Sequence, residues 1–265
     1  SISDFKVQSI FEDSDETLWF GSYSNGLNRF DRETQSFQHF LVESDHKTSI
    51  SDQRVWDIEQ SEADEIWLAT GFGLNKLDKR TGEFTHYFPE PKALLLDINK
   101  IRSIEVNQDG DLFLGTHNGL VFFNTETETF TKIESDNMPN LGPIYSMIST
   151  DFGEYWVSTD YGVFSFTDND KTLKKVPFVF DDSCSQTLFQ DRQSTIWLSC
   201  EGVGVYKITR TNIFQSFDEP RVKTAFALQI ANDDSVLIGT SQIGLQKWIP
   251  ESKKLTSLVN SEMSS

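Results

Sequence analysis

Leu18-Trp19-Phe20-Gly21-Ser22 decides the fold, because it recurs. Ile66-Trp67-Leu68-Ala69-Thr70 and Leu112-Phe113-Leu114-Gly115-Thr116 repeat it. So do Tyr155-Trp156-Val157-Ser158-Thr159, Ile196-Trp197-Leu198-Ser199-Cys200 and Val236-Leu237-Ile238-Gly239-Thr240. Successive copies start 48, 46, 43, 41 and 40 residues apart. An apolar run ending in a small residue persists while the spacing shrinks, so the length variation lies in loops.

Each copy has the same surroundings. An alternating strand precedes it, as in Val7-Gln8-Ser9-Ile10-Phe11 or Ile101-Arg102-Ser103-Ile104-Glu105-Val106. An acidic or glycine-containing turn intervenes (Ser14-Asp15-Glu16, Gln108-Asp109-Gly110, Asp151-Phe152-Gly153), supplying the positive-φ geometry that a hairpin needs. After the copy come a short loop ending in Gly, a third strand such as Gly26-Leu27-Asn28-Arg29-Phe30-Asp31, and a fourth such as Ser36-Phe37-Gln38-His39-Phe40. Four short strands in a unit of roughly 40 to 50 residues is the period of a β-propeller blade. Sustained 3.6-residue periodicity is missing, which excludes helical repeats. The sequence predicts one all-β domain over 1–265, a β-propeller of four-stranded antiparallel blades. Six repeats are readable, at approximately 5–40, 53–88, 99–133, 142–176, 184–217 and 222–258. A lone blade cannot bury both its faces. Packed radially, Trp19, Trp67, Phe113, Trp156 and Trp197 fill the wedges between neighbours, and Leu237 takes that position in the sixth copy.

The unit Ser9-Ile10-Phe11-Glu12-Asp13-Ser14-Asp15-Glu16-Thr17-Leu18-Trp19-Phe20-Gly21-Ser22, followed by Asn25-Gly26-Leu27-Asn28-Arg29-Phe30-Asp31, resembles the two-component regulator propeller repeat. The second copy matches through Trp67, Thr70, Gly73-Leu74-Asn75 and Asp78. The resemblance runs over essentially the whole chain and is weakest in copy six. It implies a ligand-sensing domain rather than an enzyme: the periplasmic part of a membrane receptor whose cytoplasmic end is a histidine kinase or a diguanylate cyclase. Such a domain is tethered to the membrane without entering it, in an arrangement compatible with a homodimer. Propellers of that family usually have seven blades, and many members carry two in tandem. With six readable repeats and no evident shared blade at the termini, the expectation is part of a longer array, lacking a blade that a neighbour supplies. A genuine six-bladed ring is the second reading.

Composition narrows the partners. Against 23 basic residues stand 41 acidic ones, a formal charge of −18. Nucleic acid is disfavoured, because phosphate binding needs clustered Lys and Arg, and so is docking on an anionic membrane. The longest apolar runs, such as Ala93-Leu94-Leu95-Leu96, are too short to span a bilayer. The chain opens Ser1-Ile2-Ser3-Asp4-Phe5 with neither a basic nor an apolar leader, and the missing initiator Met reads as a trimmed longer product.

With the first strands lining a central channel, the interblade loops and the second-to-third-strand loops share one face. Loops on a rigid scaffold carry function. Those second-to-third loops offer Tyr23, Asn25, Phe72, His117, Asn118, Tyr161, Glu201 and Gln242 as ligand-binding candidates. Interblade loops add Arg54 and Arg102, with Asp45, His46 and Lys100 as further rim groups. Aromatic faces stack on pyranose C–H surfaces while amides and carboxylates fix hydroxyls, so the mixture suits a small-molecule or oligosaccharide ligand. The apolar segment Phe88-Pro89-Glu90-Pro91-Lys92-Ala93-Leu94-Leu95-Leu96 is expected to cap a blade.

The sequence points to no catalytic residue, metal or cofactor. His39 and His86 occupy the same place in successive repeats and lack the Cys/His spacing of a zinc site. Asp13-Ser14-Asp15-Glu16 and Asp168-Asn169-Asp170 do not continue into a calcium-loop frame and read as turns. Neither a phosphate-cradling Gly-rich loop nor a Gly-x-Ser-x-Gly elbow occurs. A hairpin centred near Gln193-Ser194 sets Thr187, not Cys184, opposite Cys200, so a Cys184–Cys200 disulfide needs a bulge. Two alternatives stay open. The repeats also resemble those of the streptogramin lyases, whose motifs tend to end in Thr-Glu, where only Cys200-Glu201 places an acid here. The third reading is a protein–protein interaction scaffold.

Overall fold

A computed structural model describes residues 2–43, 48–62, 65–93, 96–133, 141–176, 187–200, 204–208, 215–217, 225–231, 235–240, 244–249 and 254–258. Blade 1 comprises β1 (Val7–Glu12), β2 (Leu18–Ser22), β3 (Leu27–Asp31) and β4 (Ser36–Phe40). Blade 2 comprises β5 (Val55–Glu62), β6 (Glu65–Thr70), β7 (Gly73–Asp78) and β8 (Phe84–Tyr87). Blade 3 holds β9 (Ile101–Val106), β10 (Leu112–Thr116), β11 (Gly119–Asn124) and β12 (Thr129–Ile133). Blade 4 holds β13 (Ile144–Ser149), β14 (Tyr155–Thr159), β15 (Gly162–Phe166) and β16 (Lys174–Lys175). Blade 5 holds β17 (Leu188–Gln190), β18 (Ile196–Cys200), β19 (Gly204–Ile208) and β20 (Gln215–Phe217). Blade 6 holds β21 (Ala225–Ile230), β22 (Val236–Thr240), β23 (Leu245–Ile249) and β24 (Lys254–Ser257). Every sheet runs in sequence order and every pairing is antiparallel.

The first strands ring the axis. β1 meets β5, β5 meets β9, and so on through β13, β17 and β21, which returns to β1. The chain is therefore a closed six-bladed β-propeller, and the expected missing blade is not needed. Each blade takes all four strands from one contiguous stretch, so closure needs only the packing of β21 on β1.

The repeated motif has two packing roles. Its aromatic residue enters the core of the following blade: Trp19 packs with Ile66, Leu68 and Leu77, and Trp67 with Ile104, Leu112 and Phe123. Phe113, Trp156 and Trp197 do the same for blades 4, 5 and 6. The small residue lets the next inner strand approach. A Cβ at Gly21 would lie 2.7 Å from the Val55 carbonyl oxygen, and one at Gly115 would lie 2.6 Å from Ile144. Their role is close approach rather than left-handed backbone.

Several turn expectations are met and one is corrected. Glu16, Gly110, Gly153 and Ser194 take positive φ in the first hairpins. The carboxylate of Asp13 accepts the Asp15 and Thr17 N–H groups, so the acidic cluster is a turn. His39 and His86 stand at equivalent strand positions, opposite Asn28 and Asn75, but with different partners: His39 Nδ1 lies 2.7 Å from Asn28 Oδ1 and His86 Nε2 2.7 Å from the Ser49 carbonyl. Asn99 bonds Glu90 and Ala93, folding residues 90–93 back towards the start of blade 3. Thr187 faces Ser199, not Cys200: Ser199 N–H donates to the Thr187 carbonyl at 2.9 Å. The three-residue turn 192–194 moves the register by one residue. Cys184 lies outside the described residues.

Candidate functional site: the mouth of the central channel

Two sequence devices build the mouth. The first is a β-bulge repeated near the start of β1, β5, β9, β13 and β21, between Val7 and Ser9, Val55 and Asp57, Ile101 and Ser103, Ile144 and Ser146, and Ala225 and Ala227. A bulge re-aims the extra residue, and Gln8, Trp56, Arg102 and Tyr145 line the channel from these positions. The second device is the hydroxyl that ends the motif. Ser22, Thr70, Thr116, Thr159 and Thr240 donate to the carbonyls of Gly26, Gly73, Gly119, Gly162 and Gly244 at 2.8–3.0 Å, clamping each second-to-third loop.

The mouth cavity measures about 490 Å³ and is lined by Lys6, Val7, Gln8, Tyr23, Arg54, Trp56, Lys100, Arg102, His117 and Thr240. Below it, residues of all six inner strands line a second space of about 320 Å³, which includes Asp57, Glu59 and Glu105. His117 stacks on Trp56 with ring centroids 5.5 Å apart and planes 18° from parallel. The Arg102 guanidinium lies 4.9 Å from the Trp56 ring centre and 5.0 Å from that of Tyr145. Arg54 is held by Asp52, Nε to Oδ1 at 2.9 Å and a terminal nitrogen to Oδ2 at 2.8 Å. Lys100 Nζ meets Asp97 at 2.7 Å, and Lys6 Nζ lies 5.2 Å from the centre of the Tyr23 ring.

Electrostatics divide the channel. Burial pushes the His117 imidazole down to about 4, and Arg102 and Lys100 repel its charged form further. The ring is therefore neutral near pH 7, and its Nε2 is buried without a hydrogen-bond partner. Arg102 Nε is also buried and unpartnered. Deeper in, burial raises Asp57 to about 7 although it accepts the Ile104 and Ile58 N–H groups at 2.9 and 3.0 Å. Burial and mutual repulsion raise Glu59, and burial with repulsion from Asp57 raises Glu105. These carboxyls touch the lumen but are walled by protein.

Of the sequence candidates, Tyr23, Arg54, Lys100, Arg102 and His117 meet in one cavity. The other described candidates lie elsewhere. Phe72 packs edge-on against Phe88 at 5.1 Å, Asn25 donates to the Ser3 carbonyl, Asn118 is exposed, and Tyr161 stands exposed beside Gly142. Glu201, Gln242, Asp45 and His46 lie outside the described residues. Sequence reasoning missed Lys6, Trp56 and Tyr145. One signal marks part of this set: a bulky residue follows a β-branched one at the same place in Val7-Gln8, Val55-Trp56, Ile101-Arg102 and Ile144-Tyr145.

Comparison with known proteins adds context. Residues 2–24 match the family model described as Two component regulator propeller. Histidine kinase P4 of Formosa agariphila is 29% identical over 168 residues, which is 61% of this chain and 12% of that protein. The chain thus spans a small fraction of the relative it matches. Among solved structures, a streptogramin B lyase superposes with a TM-score of 0.74 at 16% identity, covering 99% of this chain and 86% of that one. An extracellular domain described as that of the hybrid two component system BT4673 from B. thetaiotaomicron gives 0.64 at 16% identity, covering 97% and 44%. At these identities the structures share the fold.

Proposed function

We propose that this domain is the extracytoplasmic ligand sensor of a transmembrane signalling receptor. It binds a small molecule or glycan at the channel mouth and relays occupancy to a cytoplasmic kinase or cyclase. The observation that carries this reading is the meeting of Tyr23, Trp56, Arg102 and His117, drawn from blades 1, 2 and 3, around one cavity. A site assembled across blades is sensitive to how the blades pack, which a sensor needs in order to convert binding into a shift between arrangements. The kinase relative and the regulator-propeller match of residues 2–24 support the receptor setting. The test is the thermal stability of the purified domain against oligosaccharides, amino acids and small acids. A rise in Tm that Trp56→Ala abolishes is expected; no response across the panel overturns the reading.

A lyase-type enzyme is the second reading, favoured by the neutral, unpartnered Nε2 of His117, the state a general base requires. Turnover lost in His117→Ala supports it, and a ligand recovered unchanged opposes it.

A further inference from the structure

We infer that the ligand of the channel mouth is an acidic saccharide, its oxyanion held by Arg102 and its ring face laid on an aromatic side chain of the mouth. The inference rests on the ligand-sensing reading and specifies its chemistry.

Charge distribution is the first argument. The chain carries −18, yet the ten described residues that line the mouth include four bases and no acid among them. Composition alone predicts the reverse. Two of the four bases are already answered, Arg54 by Asp52 and Lys100 by Asp97. Lys6 and Arg102 have no carboxylate within ion-pair distance among the described residues. Asp160, whose charge acts on Arg102, accepts the Tyr145 hydroxyl at 2.7 Å.

Geometry is the second. Trp56 and Tyr145 both lie against the Arg102 guanidinium, which fixes a fork that matches carboxylate or sulfate oxygens. Its Nε is a buried donor with nothing to bond, and His117 Nε2 is a second orphan in the same cavity. Buried polar groups are normally satisfied, so two unpartnered atoms on side chains that line one space leave room for a ligand that brings oxygen atoms once these side chains adjust to it. The aromatic wall of Tyr23 and Trp56 asks that this partner also present an apolar ring face. Beneath the mouth, Asp57, Glu59 and Glu105 offer carboxyl groups, kept largely protonated by burial, to hydroxyl-bearing parts of the ligand. A free inorganic anion meets the first requirement but not the second.

The experiment compares matched probes on the purified 265-residue domain by calorimetry and thermal shift: trigalacturonate against neutral galactotriose, a sulfated against an unsulfated disaccharide, and sodium sulfate alone. An acidic saccharide is expected to bind, its neutral partner to bind at least tenfold more weakly, and sulfate alone to bind more weakly still. Affinity should fall when NaCl is raised from 50 to 500 mM. Arg102→Gln should lose at least tenfold in affinity; if that variant does not fold, Lys6→Gln and the salt dependence of the wild type carry the test. Equal binding of neutral and acidic partners, or an unchanged affinity in folded Arg102→Gln, overturns the inference. If neutral saccharides bind and Trp56→Ala abolishes it, ligand sensing stands and only the acidic specificity falls. If no saccharide of either class binds, the inference falls, and ligand sensing is decided by the amino acids and small acids of the wider panel.

Discussion

Trp56 and His117 stack across a blade boundary, the indole from inner strand β5 and the imidazole from the loop after β10, with centroids 5.5 Å apart. Burial is the main cause of the low His117 pKa, with Arg102 and Lys100 as further causes. Removing the indole opens the ring to water without removing either cation. Trp56→Ala should therefore raise the His117 pKa from about 4 part of the way towards its ordinary 6.5, as followed by NMR titration of the imidazole. An unchanged titration would show that the cations, not the stack, hold the ring neutral.

The channel carboxyls give stability a pH dependence of definite sign. Asp57 titrates at about 7 in the fold against 3.8 for the ordinary side chain, so between those values the folded state keeps a proton that the unfolded chain releases. The slope of unfolding free energy with pH is then negative: these groups make stability fall as pH rises towards 7 and level off above it. Glu59 and Glu105 act in the same direction. Asp57→Asn and Glu59→Gln should each flatten the fall, with Tm at pH 8 rising relative to wild type by several degrees. His117 contributes the opposite slope between about 4 and 6.5, so the comparison is made at pH 7 to 8, where it is neutral. A Glu59→Gln protein less stable than wild type at pH 8 would show that the carboxylate has a partner there.

The fold was legible because each blade repeats one motif whose parts have fixed physical duties: the wedge aromatic, the small residue under the next strand, the hydroxyl that closes the loop. Ring closure was not, since the contact between β21 and β1 leaves no mark on spacing. In the site, loop position located Tyr23 and His117, and interblade position located Arg54 and Arg102. Trp56 and Tyr145 escaped because a β-bulge inserts one residue into an alternating strand, and alternation alone assigns them to the wrong side. Phe72 shows the converse error. It has the right loop but finds Phe88 nearer than the channel.

A second clamp ties hairpin to wedge. Asp13 Oδ2 accepts the Trp19 indole N–H at 2.9 Å while Oδ1 takes the Asp15 and Thr17 N–H groups, and Asp191 repeats the arrangement with Trp197 at 2.8 Å. Burial alone would raise the Asp13 pKa, but these bonds and Lys79 hold it below its ordinary value. Its contribution is thus intact above the unfolded carboxylate range and lost as pH falls through the folded pKa. Asp13→Ala should cost about 1–3 kcal/mol by chemical denaturation, because a buried indole donor is stranded. Asp13→Asn, which keeps an acceptor, should recover much of that. Equal losses in both variants would mean that the charge facing Lys79, not the acceptor, matters.

The ring should open first between blades 6 and 1. At the five other boundaries a buried aromatic wedge covers the next blade's core, whose Ile66, Leu68 and Leu77 in blade 2 are fully buried. The equivalent residues of blade 1, Leu18, Phe20 and Phe30, are all half-buried, and the wedge position facing them holds Leu237. Phe37 instead packs against both Phe20, edge-on with centroids 5.8 Å apart, and Phe30, tilted with centroids 4.9 Å apart. Less apolar area leaves water here than at the boundary between blades 1 and 2, so less free energy is expected to hold this boundary closed. Hydrogen exchange should find the shared edge of β1 and β21 less protected than that of β5 and β9. Trp19→Ala should cost about 3–5 kcal/mol, as large core truncations do, and Leu237→Ala clearly less. Leu237→Trp should gain roughly 0.5–2 kcal/mol by supplying the missing wedge. If Leu237→Trp destabilises the ring while Leu237→Ala costs as much as Trp19→Ala, the boundary is already well packed and the weak point lies elsewhere.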